Sequence, residues 1–94
     1  MIEAFQITEE TRWNNEDWPE WLHMAWNMEP SEVGSVDPLN MCPPELVLPE
    51  GAILIISTLE GKQVVMENDF IIRGVQGELY PCKPDIFWQT YEEM

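Results

Sequence analysis

The chain has 94 residues, of which 18 are acidic and four are basic, and its formal net charge is −14 at pH 7. This length predicts one domain over residues 1–94. Four basic residues cannot neutralise the phosphates of a nucleic-acid backbone, and an anionic membrane is disfavoured for the same reason, so neither is expected as a direct partner. Because hydrophobic residues make up 45% of the chain and aromatic residues 11%, a disordered acidic tail is excluded as well. The composition predicts a folded acidic domain that is steered toward basic proteins.

The N-terminal third predicts one strand and one helix. Residues 2–8, IEAFQIT, alternate imperfectly between apolar and polar side chains, as in a strand. The polar residues 9–15 predict a break, and a helix is then expected from Pro19 to about Asn27, because proline suits a first helical position. The start carries no basic segment and no sustained apolar run, so no signal peptide is expected.

Residues 30–51 contain five prolines. That density excludes a long helix and any central strand except short pieces, such as 32–36. Apolar side chains along the segment are expected to hold it against the core, including Val33, Val36, Leu39, Leu46, Val47 and Leu48. The segment is therefore predicted to be an ordered loop within the single domain.

The C-terminal half predicts a series of hairpins followed by a helix. The segments AILIIST, KQVVME, DFIIRG and ELYPC are strand-like and are separated by turns at 59–62, 68–69 and 75–77. Pro84 is expected to open a short final helix. The predicted fold class is α+β: a small, mostly antiparallel sheet or partial barrel of four to five strands, with one helix in the N-terminal half and a short C-terminal helix.

The first predicted helix has more apolar surface than a thin core can bury. At about 100° per residue, its apolar side chains cover an arc of roughly 200°, whereas a surface helix usually needs a stripe of about 100° or somewhat more. The tryptophans can lie at the margins of the buried face or be covered by the proline-rich loop. Alternatively, part of the arc forms a surface for a partner or for self-association. That surface would contain Trp21, Met24 and Met28.

The acidic residues are densest in the N-terminal third, where residues 1–32 carry eight acidic residues and only one base, Arg12. They can serve as a hydrated surface that keeps the protein soluble. Alternatively, they imitate the phosphate path of a nucleic acid and occupy a basic groove on another protein. The densest part of this candidate surface is Glu9, Glu10, Glu16, Asp17 and Glu20.

The sequence gives little support to an enzyme. His23 lies in the tryptophan-rich helix without an evident partner, and Cys42 and Cys82 are each flanked by prolines, far apart in the chain. A metal site would need closely spaced ligands. Both cysteines are therefore expected to be reduced structural thiols, and no catalytic residue, metal site or cofactor is predicted.

The segment NDFIIRGVQGELYPCKPDIFWQTYE, residues 68–92, resembles a C-terminal motif of small uncharacterised bacteriophage and prophage proteins, whose usual pattern is GDWIIRGVKGEFYPCKPDIFEATYE. The hairpin ISTLEGKQVVMEN and the opening IEAFQIT also resemble this family, so the likeness covers about half of the chain. Departures include Asn68, Gln76 and Trp88. The motif is specific to the family, and its residues predict a structural role. Its charged residues are expected to form a local set of ion pairs: Arg73, Lys83, Glu78 and Asp85. The resemblance implies a phage accessory protein in the cytoplasm of the bacterial host.

Charge, surplus apolar surface and this resemblance together lead to one leading hypothesis. The protein would bind and inhibit a basic host protein that handles nucleic acid or serves in defence, as an anti-CRISPR or anti-restriction protein does. The acidic residues would steer the encounter and the exposed Trp or Met side chains would anchor it. The alternative is a phage structural or assembly protein that forms homodimers or larger homo-oligomers through the Trp- and Met-rich helix.

Overall fold

The computed structural model describes residues 3–29, 32–41 and 46–91. Its strands are β1 Glu3–Gln6, β2 Val36–Asp37, β3 Ala52–Thr58, β4 Gly61–Met66, β5 Phe70–Arg73 and β6 Leu79–Cys82. Its α-helices are α1 Glu9–Trp13, α2 Glu20–Trp26 and α3 Pro84–Tyr91, and short 3₁₀ helices lie at Asn15–Asp17 and Leu39–Met41.

The strands form two antiparallel three-stranded sheets, with the orders β1-β5-β6 and β2-β3-β4. This confirms the α+β class. The described residues contain six strands in two sheets, where the sequence predicted four to five strands in one sheet or partial barrel; the additional strand is the two-residue β2. The first sheet places β1 beside β5, with Ala4 opposite Ile72.

The main difference from the sequence-based prediction is α1, which occupies part of the expected polar break. Thr8 caps this helix: the Thr11 N–H donates to Thr8 Oγ1 at 3.1 Å, and the Thr8 N–H donates to Thr11 Oγ1 at 2.8 Å. Glu9 and Glu10 occupy the first turn, where the helix dipole favours negative charge. Five residues are too few for a periodic apolar signal, so only the cap marks this helix in the sequence.

The core lies between α2 and the inner faces of the two sheets. From α2 it receives Leu22 and Ala25, and Trp18 enters it from just before the helix. The indole N–H of Trp18 donates to the carbonyl of Thr11 at 2.7 Å, which ties α1 to the start of α2. From the strands and the chain beside them the core receives Ile7, Val36, Leu54, Ile56, Val65, Ile71 and Leu79.

The proline-rich segment contributes a strand to the second sheet. Within its described parts, 32–41 and 46–51, Val36 is fully buried and faces Ile56 of β3. Leu39 and Leu46 are half-buried, whereas Val33 and Val47 are 50% and 85% exposed. The segment is thus held at a few points and leaves several apolar side chains in solvent.

A candidate protein-binding surface

Five carboxylates lie along the chain that joins β1 to α2. Glu9 and Glu10 are on α1, Glu16 and Asp17 are in the following 3₁₀ helix, and Glu20 is in the first turn of α2. All five are exposed. The ion pairs seen among the described residues, Arg73–Glu3 at 3.0 Å and Lys83–Asp69 at 3.3 Å, involve none of them. We call these five residues the acidic segment.

Arg12 is the only base in this part of the chain, and it turns toward the protein. Its guanidinium carbon lies 4.5 Å from the ring centroid of Trp13 and 5.0 Å from that of Trp26. Its Nε–H donates to the carbonyl of Ile53 at 3.3 Å. Burial lowers the pKa of Arg12 from its ordinary value, although a guanidinium remains charged in proteins. Because its contacts are with rings and a backbone carbonyl, Arg12 forms no salt bridge with the acidic segment.

The structure brings the three predicted apolar contact residues together. Trp21, Met24 and Met28 line one cavity of about 170 Å³, which Val33 and Leu79 also border. Met24 is 63% exposed, whereas Trp21 and Met28 are half-buried. Much of the surplus apolar arc is therefore absorbed at the margin of the core, and Met24 is the part most open to solvent.

A second cavity of about 360 Å³ adjoins the first, since Val33, Gly34 and Leu79 line both. It runs to the β3–β4 turn and along β6, where Leu59 and Tyr80 are 88% and 37% exposed. We call the two cavities together the groove. The other residues lining its larger part include Pro81, Glu60 and Glu78. The sequence did not predict the larger part of the groove, because single apolar residues in turns show no periodic pattern.

The side chains considered for catalysis, His23 and Cys82, contact neighbouring groups of the fold. The ring of His23 lies 5.7 Å from that of Trp18. The Cys82 thiol contacts the carbonyl of Lys83 at 3.6 Å. Burial, followed by the charges of Asp69 and Asp85, raises the pKa of Cys82, so the thiol is neutral near pH 7 and a poor nucleophile. Cys42 lies outside the described residues.

The C-terminal motif has a different ion-pair arrangement from the local set considered in the sequence. Arg73 reaches Glu3 on β1, and Lys83 reaches Asp69 in the turn before β5. Asp69 is buried, and its Oδ2 also accepts the Met66 N–H at 2.9 Å. These contacts join neighbouring elements, which gives the motif a structural role.

Comparisons with known proteins give no independent guide to function. No protein-family model matches the chain, and no match was found among curated proteins or solved structures. The resemblance to phage proteins therefore stays a prediction. In the part of the chain that the structure describes, no group of three or more His, Cys, Asp or Glu side chains is placed to hold a metal ion. None of the described helices has the length and apolar character needed to cross a membrane.

Proposed function

We propose that this protein is a non-enzymatic binding protein whose acidic segment docks on a basic surface of another protein, at a place that otherwise receives a nucleic-acid backbone. The partner class follows from the resemblance: a host protein that handles nucleic acid or acts in defence, inhibited in the bacterial cytoplasm. The observation that carries the proposal is the exposure of five carboxylates on a segment whose single base, Arg12, turns away from them.

The placement of Arg12 supports this function more than it supports solubility alone. Solubility requires a charged surface but not the withdrawal of a neighbouring cation. With Arg12 held by Trp13 and Trp26, none of the five carboxylates of the acidic segment is ion-paired with it. Such a surface accelerates the encounter with a basic partner and orients it, and both effects weaken as salt rises.

The test begins with partners captured from a bacterial lysate, identified, and purified for titration against the full chain. We expect duplex DNA to compete with the protein for the captured partner, because both would occupy one basic surface. Neutralising the acidic segment (Glu9→Gln, Glu10→Gln, Glu16→Gln, Asp17→Asn and Glu20→Gln) should weaken binding at least tenfold and flatten its salt dependence.

A matched control removes the same charge from other exposed carboxylates, by Glu29→Gln, Glu32→Gln, Glu50→Gln, Glu67→Gln and Asp85→Asn. This control should bind within about threefold of the original chain, since rim charges far from a contact contribute little. Equal losses in the two variants would show that total charge acts without a defined surface. Failure of DNA to compete would contradict occupation of a nucleic-acid site.

A further inference from the structure

We infer that the groove between α2, β6 and the β3–β4 turn receives an extended segment of a basic protein, with apolar side chains in the groove and Lys or Arg at its acidic rim. This inference rests on the proposed function and assigns to the same partner a second contact with this protein. It adds an apolar anchor to a surface that would otherwise act by charge alone.

The first argument is the clustering of exposed apolar side chains. Met24, Val33, Leu59 and Tyr80 belong to different elements and loops, and each is at least 37% exposed. They nevertheless line the two adjoining cavities. Isolated exposed apolar residues need no explanation, whereas a contiguous patch in a concave surface is typical of an interaction site.

The second argument is the size and shape of the groove. Its larger part, about 360 Å³, lies at the lower end of the roughly 300–1,000 Å³ typical of ligand pockets. The smaller part, about 170 Å³, lies below that range and suits a single side chain. Two unequal cavities joined at Val33, Gly34 and Leu79 favour a chain segment with two apolar side chains over one compact ligand.

The third argument is charge. Glu60 and Glu78 border the larger part of the groove, and the one base that lines the smaller part, Arg73, is already paired with Glu3. The ammonium of Lys62 donates at 2.9 Å to Ser57 Oγ, in the lining of the larger part. With two carboxylates and this one base, the rim of the larger part still carries a net negative charge. A second copy of this chain would bring another net charge of −14 to that rim, so self-association is disfavoured and a basic segment is favoured.

The experiment uses three blocked hexapeptides with the ¹⁵N-labelled full chain: alternating Lys-Leu, alternating Glu-Leu and alternating Lys-Ser. Amide shifts in two-dimensional NMR spectra report where each peptide binds. We expect the Lys-Leu peptide to shift the amides of Gly34, Leu59 and Leu79. The Glu-Leu peptide should shift none of these, and the Lys-Ser peptide should bind at least fivefold more weakly, because it supplies charge without the apolar anchor.

A matched pair of variants tests the apolar anchor. Leu59→Ser and Val47→Ser each remove a highly exposed apolar side chain, 88% and 85% exposed, so neither should unfold the protein. Leu59→Ser should weaken the Lys-Leu peptide at least fivefold, whereas Val47→Ser, outside the groove lining, should change its affinity less than twofold. Glu60→Gln should weaken it more than Glu67→Gln does.

Several results would overturn the inference. Equal affinity for the Lys-Leu and Lys-Ser peptides, shifts confined to residues 9–20, or no binding would each do so. Light scattering that shows a dimer dissociated by Leu59→Ser would assign the groove to a second copy. Failure of the proposed function can be told apart from failure of this inference. The variant with a neutralised acidic segment should bind the Lys-Leu peptide in the groove within about threefold of the original chain. This holds even if the same variant shows that the acidic segment contacts no partner.

Discussion

At the scale of single residues, Arg12 makes three contacts with different parts of the fold. Its guanidinium lies over Trp13 and near Trp26, while Nε donates to the backbone of β3. Trp13 is 77% exposed, so Arg12 covers part of a ring that otherwise faces water. The side chain thus links α1, α2 and the second sheet.

Replacing Arg12 should therefore lower stability by more than the loss of a surface charge. Arg12→Ala is expected to reduce the free energy of unfolding by about 1–2 kcal/mol, as one hydrogen bond and two cation–π contacts are lost. Arg12→Lys should restore less than half of this, because an ammonium lacks the planar guanidinium. Urea unfolding of the three proteins measures the differences.

Arg73→Ala provides the comparison, because it removes the same charge from a solvent-exposed pair with Glu3. Exposed pairs contribute about 0–1 kcal/mol, so this variant should lie close to the original chain. If Arg12→Lys proved as stable as the original chain, the planar guanidinium would add nothing to the free energy of unfolding beyond its positive charge.

At the scale of elements, β5 contacts the core with one face and α3 with the other. Ile71 enters the core, while Phe70 on the opposite face stacks on Phe87 of α3 with ring centroids 3.8 Å apart. Trp88 contacts both phenylalanines edge-on, at 5.5 and 5.2 Å, and is 51% exposed. The stacked pair is the main aromatic contact between α3 and the sheet.

Phe87→Ala should therefore detach α3 from the sheet while leaving the rest of the fold in place. We expect a loss of about 2 kcal/mol, below the 3–5 kcal/mol of a fully buried Phe→Ala substitution, because Phe87 is only half-buried. Hydrogen exchange should accelerate over 84–91 and stay slow in β3 and β4. The more exposed Ile86→Ala serves as control and should cost less than about 0.5 kcal/mol; unchanged protection of α3 in Phe87→Ala would contradict this role.

The elements also show how far a sequence can predict this fold. The helix α2 and the strands β3 to β6 were predictable because their apolar spacing and turn residues agree with their structure. The helix α1 was not predictable, since its cap is its only signal. A short strand was allowed at 32–36, but β2 lies at Val36–Asp37, where pairing with β3 fixes it. For the binding surface, helical spacing placed Trp21, Met24 and Met28 together, but Leu59 and Tyr80 join them only through the packing of the two sheets.

At the scale of the whole molecule, charge is poorly balanced. The described residues contain two ion pairs, and the charges of a chain with net −14 are confined to a body of about 40 × 28 × 27 Å. Like charges on opposite sides are therefore within reach of one another at low ionic strength. Self-repulsion of this kind opposes the compact state.

Salt should accordingly stabilise the protein. Between 0.01 and 0.15 M NaCl the Debye length falls from about 30 to about 8 Å, which is shorter than the dimensions of the molecule. We expect the urea midpoint to rise by about 0.5 M, or roughly 1 kcal/mol at a typical m value. The variant with a neutralised acidic segment should show a smaller rise; a midpoint that stays constant or falls would argue against self-repulsion.

The pairing of β1 with β5 has a consequence for how the protein is made. Glu3 lies opposite Arg73 and Gln6 opposite Phe70, so the first strand cannot pair until residues 70–73 have been synthesised. Arg73 is added 67 residues after Gln6, which takes about 3–13 s at a translation rate of roughly 5–20 residues per second. The β3–β4 hairpin forms from neighbouring residues during this time, while β1 waits with its backbone unpaired. The first sheet therefore forms late in synthesis. A nascent chain stalled before residue 70 would leave β1 unpaired and exposed to other chains.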